Sequence, residues 1–361
     1  MIGPTLGRYI ASRFAKTVTV VFMTMFGLIY LIDFVELLRR SSDAPNVSSA
    51  FVALLTLLRT PAIVEQVLPF AVLFGAMAAF LNLTRKLELI VARAAGVSVW
   101  QFMAPPIVVA GLIGVFFTGV FNPMSAALKQ RADRIETSIF GRPGQSDGDT
   151  ALWIRQRSVD GQAVIRAEKS SDNGTVLGAV TAFVFEPGGA FLERVDASRA
   201  RLRDGYWAME NARVTAPTVE PHVTSVYLLA SNLTPEQVTK SFVNPNSVSF
   251  WKLPELVERT IAAGLDATAY RMRYQMLMAS PLMLVAMVLI AASFSLRFFR
   301  FGGVARMVSG GVVAGFMLYV ATKLVADLGG AGLLAASVAA WSPAIVGSLL
   351  GALALLYQED G

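Results

Sequence analysis

The 361 residues contain no cysteine and a single histidine, His222. Without cysteine there can be no disulfide, thiolate nucleophile, Cys-ligated zinc or iron–sulfur cluster. One histidine excludes a multi-histidine metal site, and His222, in a Pro-His-Val stretch, reads as an ordinary loop residue at the surface. No GxxxxGK(S/T) run occurs, so the chain has no P-loop with which to hydrolyse ATP itself. Charge is scarce too. Asp, Glu, Lys and Arg make up 16% of the chain, against about 25% in a typical soluble domain. Hydrophobic residues reach 55%. These proportions argue against a soluble single-domain enzyme.

The charges that exist are unevenly placed. Residues 129–272 hold 34 of them in 144 positions, and the other 217 positions share 22. A polar middle therefore lies between two apolar flanks. A bilayer core takes about 20 apolar residues in helix. Phe14–Val35, Ala62–Leu83 and Phe102–Phe121 meet that requirement before the middle, and Tyr274–Leu296, Met307–Leu328 and Leu334–Tyr357 meet it after. Asp33, Glu36, Glu65, Lys323 and Asp327 fall toward the ends of these segments, which disfavours an ion-coupled secondary transporter with midplane charges. The first segment is too long for a signal-peptide core, and no small-residue cleavage site follows it.

The net charge of +6 is a weak argument for a nucleic-acid partner, because membrane proteins collect Lys and Arg in cytoplasmic loops. Here one side would carry Arg8, Arg13, Lys16, Arg85, Lys86, Arg93, Arg297, Arg300 and Arg306, and the other Arg39, Arg40, Arg59 and Lys323. That asymmetry places both termini in the cytoplasm and the polar middle across the membrane, in the periplasm of a Gram-negative cell.

The middle reads as β structure. Ala151–Arg155, Ala163–Ala167, Val180–Phe185, Ala197–Leu202 and Tyr206–Val214 are short runs of strand formers, with hairpin signals at Asp160-Gly161 and Asp204-Gly205. Strands at this spacing suggest a sandwich or jelly roll. Pro254–Ala263 reads as a short helix. The expected organisation is spans one to three in residues 1–127, a β domain in 128–249, a connecting helical segment in 250–272 and spans four to six in 273–361. The fold class is thus a six-helix, three-plus-three membrane protein with an inserted jelly-roll-like β domain.

Local sequence narrows the class. Leu68-Pro69 and Gly75 are followed by Arg85-Lys-Leu-Glu88-Leu-Ile-Val-Ala-Arg93-Ala-Ala-Gly96-Val-Ser98, which resembles the SELVVMRASG signature of the lipopolysaccharide export permeases, the LptF/LptG family. Trp251-Lys-Leu-Pro-Glu-Leu, then Ala263-Gly-Leu-Asp266-Ala-Thr-Ala-Tyr270-Arg, resembles the family's entry into span four, and Pro281-Leu-Met to Ser293-Phe-Ser-Leu296 resembles that span. Leu152-Trp153-Ile and Asn232-Leu-Thr-Pro-Glu fit the G-type branch better than the F-type. The resemblance covers nearly the whole chain. It implies a non-catalytic permease subunit with no cofactor of its own, paired with an LptF-type subunit. Two LptB-type ATPases and an LptC-type single-span protein complete the implied assembly, and lipopolysaccharide is the cargo. A permease of another ABC lipid or lipoprotein export system is the alternative, and a non-transporting assembly scaffold is another.

Three groups of candidate residues follow. Arg85, Glu88, Arg93 and Gly96 lie in the stretch 85–98, where Leu87, Ile90, Val91 and Ala94 recur at helical spacing. Such a helix suits docking in an ATPase groove, and Glu88 matches the family's coupling glutamate. The competing reading of Glu88 is an intrahelical pair with Arg85. Arg39, Arg40 and Arg59 flank the loop between spans one and two, where guanidinium groups could bind phosphate in bidentate fashion or simply anchor helix ends. The family holds its lipid head group with basic residues near here, although Asp33 stands about where relatives often carry a lysine. Gly311 and Gly315 in span five, like Gly347 and Gly351 in span six, form small-xxx-small pairs suited to close helix contact. The resemblance makes spans one and five lateral gates.

Overall fold

The computed structural model describes residues 4–41, 48–86, 88, 91, 94–140, 152–158, 161–171, 174–186, 188–217, 219–232, 245–262, 266–296 and 304–359. Among these residues, six helical stretches are long and apolar enough to cross a membrane. They are α1 (Pro4–Ser41), α2 (Ser49–Arg85), α3 (Val99–Phe116) continuing through a π-helical turn (Phe117–Phe121) into α4 (Asn122–Phe140), α6 (Thr268–Ser295), α7 (Val304–Gly330) and α8 (Ala336–Glu359). A short amphipathic helix, α5 (Leu253–Ala262), precedes α6. The chain divides into a helical unit (Met1–Asp133, Asn246–Pro254 and Thr268–Gly361) and a second unit (Arg134–Pro245 and Glu255–Ala267).

In the helical unit the spans are longer than the apolar cores predicted for them. Span two begins at Ser49, where Ser48 accepts a hydrogen bond from the Phe51 N–H. Span three begins with a capping box, Ser98 and Gln101 each bonding the other's backbone N–H, which satisfies two donors that a helix start would otherwise leave bare. The core gathers Phe14 and Val18 of α1, Val72, Ala76 and Phe80 of α2, Met103 and Ala110 of α3, and Leu284, Met287 and Val288 of α6. Close approaches are made at glycines. A Cβ on Gly75 would sit 2.7 Å from the Val18 Cα, and one on Gly114 would sit 2.4 Å from the Pro281 Cα. Only a residue without a side chain lets those backbones touch.

The π turn in span three displaces the regular i→i−4 pattern, and its loose groups find partners elsewhere. Trp251 Nε1 donates to the Gly119 carbonyl at 2.9 Å, and Thr118 Oγ1 donates to the Leu277 carbonyl of α6 at 3.0 Å. Such bulges persist where tertiary contacts absorb them.

The second unit contains one antiparallel sheet, β1 (Leu152–Ser158), β2 (Gly161–Ser171), β3 (Val176–Phe185), β4 (Phe191–Arg203), β5 (Tyr206–Ala216) and β6 (Val219–Ala230), each strand paired with its neighbours in sequence. The five predicted strands are present. β6 is a correction, because His222 was assigned to a loop. It lies in this edge strand opposite Val214, and an edge tolerates the Pro221 beside it. The run Val223-Thr-Ser-Val-Tyr-Leu-Leu229 was the overlooked strand signal. Asp204-Gly205 makes the expected two-residue hairpin turn, with Gly205 at φ +85°; Asp160 of the other hairpin signal lies outside the described residues.

The sheet changes inward parity along one line. Leu177, Trp207 and Met209 face the core at odd positions, whereas Val180, Ala182, Ala212 and Val214 do so at even ones. Between them stand Ala179 at φ +49° and Asn211 at φ +52°, extra residues of the kind that bend a strand while keeping its apolar face inward. Ser198 of β4 stitches the line by donating to the Glu210 carbonyl at 3.0 Å. The fully buried Trp207 donates Nε1–H to Gln156 Oε1 at 3.2 Å, and Gln156 donates to the Ala230 carbonyl at 3.1 Å.

Candidate functional site

The stretch that follows α2 carries the first candidate group. Glu88, Val91 and Ala94 are helical, and the Ala95 N–H bonds to the Val91 carbonyl at 3.0 Å. Gly96, at φ +80° with open space around it, takes the left-handed conformation that ends helices. Ser98 then caps α3. Arg85 closes α2 and is exposed. Arg93 lies outside the described residues, as do Leu87 and Ile90. Val91 is 68% exposed and Ala94 is exposed as well, so this apolar edge is not covered by the chain's own core.

Glu88 does not make the contact with Arg85 that was its competing reading. Its carboxylate turns to α1 instead. Tyr9 Oη donates to it, 3.2 Å from each oxygen, and the Arg13 guanidinium lies 3.3 Å from Oε1. Arg13 also donates to the Tyr9 hydroxyl. The partners are 75 and 79 residues away in sequence, a separation at which sequence spacing carries no signal.

The second group sits where α1 ends and α2 begins. Arg39 and Arg40 are exposed, and both bind Glu36: Arg39 at 2.9 Å and Arg40 at 2.8 Å. Arg59 is more recessed, with its Nε 3.9 Å from Asp33 Oδ2. Each of the three arginines thus has a carboxylate beside it. The sequence contained the i,i+3 and i,i+4 spacing that brings Glu36 to Arg39 and Arg40, but the ion pair across two helices between Asp33 and Arg59 was not legible.

The third group packs inside the chain. A Cβ on Gly311 would meet Met77 Cε at 2.7 Å, and one on Gly315 would meet Leu73 Cδ2 at 2.3 Å. Both glycines of span five therefore face α2. The residues α7 exposes are others, among them Val313, Phe316, Met317 and Leu324.

One polar cluster lies inside the bundle. Glu65, in the apolar-span reading a charge toward the end of span two, lies 16 residues into the longer helix α2, and its carboxylate is buried against two other elements, α4 and α6. It accepts from Asn122 Nδ2 at 3.0 Å and from Ser125 Oγ at 2.9 Å, and it pairs with Arg273 of α6 at 2.5 Å. Asn122 in turn accepts the Phe250 N–H at 2.8 Å. In an ion pair with only 10% and 16% of its side chains exposed the remaining polar atoms need partners too; the carboxylate finds them in Asn122 and Ser125, whereas the Arg273 Nε is buried without a hydrogen-bond partner. A glutamate facing an arginine 208 residues away offers no local pattern.

The profile described as "Lipopolysaccharide export system permease LptF/LptG" matches residues 8–358. The chain belongs to the LptF/LptG family. It is similar to lipopolysaccharide export system permease protein LptG of Haemophilus influenzae, with 24% identity over 97% of this chain and 95% of the relative. It is also similar to LptG of Escherichia coli K12, with 22% identity over 90% of each. The LptF/LptG resemblance read from residues 85–98 and 251–296 is thereby confirmed at full length. The protein is a multi-pass inner-membrane permease subunit of lipopolysaccharide export, with membrane helices and an inserted β domain.

Proposed function

We propose that this chain is the G-type permease subunit of an ATP-driven exporter that lifts lipopolysaccharide out of the inner membrane and passes it to a periplasmic bridge toward the outer membrane. The relatives' LptG names support the subunit type. An LptF-type permease, two LptB-type ATPases and an LptC-type single-span protein complete the assembly. ATP is bound by the ATPase partners, and this chain takes no cofactor and no nucleic acid. The nine-to-four distribution of short-loop Lys and Arg supports cytoplasmic termini, a cytoplasmic segment 85–98 and a periplasmic sheet.

The observation that carries the mechanism is the pair of exposed apolar residues Val91 and Ala94 beside Glu88. An apolar helical edge flanked by a carboxylate suits a groove on an ATPase subunit that offers apolar walls and a cation. Closure of the ATPases on ATP would then move this segment, and the segment would move the spans. In complexes purified with the ATPase and reconstituted in lipid, Glu88→Ala should lower lipopolysaccharide release about tenfold, the scale of one well-placed interface contact, with membrane levels unchanged. Normal release by a well-expressed variant would remove Glu88 from the coupling contact.

Arg39 and Arg40 are the residues best placed to hold an anionic head group. Both are exposed at the end of α1, where their guanidinium groups suit a phosphate-bearing head group. Arg59 is neutralised locally by Asp33 and ranks behind them. Lateral entry between subunits would use the exposed faces of α1 and α7, since the Gly311–Gly315 face is occupied by α2.

A further inference from the structure

We propose that Tyr9 and Arg13 are positioning residues that clamp Glu88 to α1, so that movement of the segment 85–98 is delivered straight to span one. The proposal rests on the coupling reading of Glu88 and adds the route by which the motion leaves it.

Two routes into the bundle start from this segment. One is covalent, back through α2. That helix carries Pro61 and Pro69 in its interior, and 56% of its most apolar stretch is buried. Displacing it would disturb packing against several neighbours at once, in an interior that resists small deformations. The other route is the polar contact to α1. Tyr9 and Arg13 are four residues apart, on one face of the helix, and both reach the same carboxylate. Two donors on one rigid rod fix the position of Glu88 relative to α1 better than a single flexible ion pair could. The Tyr9 hydroxyl, held by Arg13 and donating to Glu88, keeps the guanidinium from swinging away.

Span one is suited to receive such a pull. α1 has 38 residues, and its only proline is the first of them. It therefore runs about 57 Å without a proline break, and Arg13 and Arg39 are about 39 Å apart along it. Only 6% of its most apolar stretch is buried in this chain. Its buried anchors are Ile10, Phe14 and Val18 on the inner side, where Val18 touches Gly75, and Leu37 toward the far end, so it can tilt about these contacts without opening the rest of the core. The far end carries Arg39 and Arg40, assigned above to the head group, with Glu36 beside them. A displacement of Glu88 would reach them through one continuous helix.

The clamp contributes little to the fold, because half-exposed ion pairs rarely do. This separates a positioning role from a structural one. The test uses the full complex with its ATPase subunits in proteoliposomes, measuring ATP hydrolysis and lipopolysaccharide released per ATP for Arg13→Ala, Tyr9→Phe, Arg13→Lys and Glu88→Ala, singly and with Arg13→Ala combined with Glu88→Ala. Arg13→Ala should copurify with the ATPase as the parent does and keep hydrolysing ATP, yet lose roughly tenfold in lipid per ATP, within the 5–150-fold range of coupling between sites. Arg13→Lys should recover most of that loss, and Tyr9→Phe should show a smaller one. Adding Arg13→Ala to Glu88→Ala should cost nothing more. If Arg13→Ala and Tyr9→Phe match the parent while Glu88→Ala has lost extraction, the clamp is wrong and the coupling role of Glu88 stands. If Glu88→Ala also extracts normally, the coupling reading fails and the clamp fails with it. A drop in assembly or membrane level that parallels the drop in output for Arg13→Ala would make the contact structural, and would overturn the proposal.

Discussion

Spans one and five differ from spans two and four in a way that divides the bundle by task. In α1 and α7 only 6% and 11% of the most apolar stretch is buried, against 56% in α2 and 67% in α6. The buried pair also carries interior prolines, Pro61 and Pro69 in α2 and Pro281 in α6. A proline inside a helix removes a hydrogen bond and bends the axis unless neighbours compensate. The compensation exists only where helices interlock, as at Gly114 against Pro281. The exposed pair lacks interior prolines. Spans two and four thus form the buried frame, and spans one and five are rods without an interior proline, laid against it with an apolar face exposed.

That division can be broken by substitution. The largest expected effect is at Gly114, where a methyl would press on the Pro281 backbone at 2.4 Å. Backbone cannot give way as a side-chain tip can, so Gly114→Ala should cost about 3 kcal/mol, read as a lowered melting midpoint in detergent and reduced membrane level. Glu65→Ala follows. It strands the Arg273 guanidinium beside Asn122 and Ser125, and loss of one partner of such a pair costs about 3 kcal/mol. The double change Glu65→Gln with Arg273→Met should recover much of the stability, which would show that the cost is the orphaned charge. Gly315→Ala comes next, at about 1 kcal/mol, because the atoms it meets belong to the movable Leu73 side chain. Smallest of all is Gly27→Ala in α1, where nothing lies within 4 Å; replacing an unneeded helical glycine should be neutral or raise stability by up to about 1 kcal/mol. An effect at Gly27 as large as that at Gly114 would end the distinction between frame and rod.

Much of this was legible in order. The six spans are written in long apolar runs whose few charges fall toward their ends, and a bilayer accepts little else. The five predicted strands are written in short runs between hairpin signals, several rich in β-branched and aromatic residues, and the family signature in residues 85–98. What was not legible has one cause. His222 reads as a loop residue beside Pro221, but β6 is an edge, and whether a strand is an edge is decided by what pairs with it. Nothing in the apolar length of span two signals that Glu65 faces Asn122 and Arg273.

The sequence by itself determined which segments enter the membrane, which form the sheet and which family the chain belongs to, because hydropathy, periodicity and a local motif act over a few to twenty residues. Only the tertiary structure decided whom the charges face. Glu88 meets Arg13 rather than Arg85, Arg59 meets Asp33, Glu65 meets Arg273, and Gly311 and Gly315 meet α2. A carboxylate in a low-dielectric bundle takes the cation that helix packing brings within about 4 Å, and helix packing brings together residues that sequence separates by 26 to 208 positions.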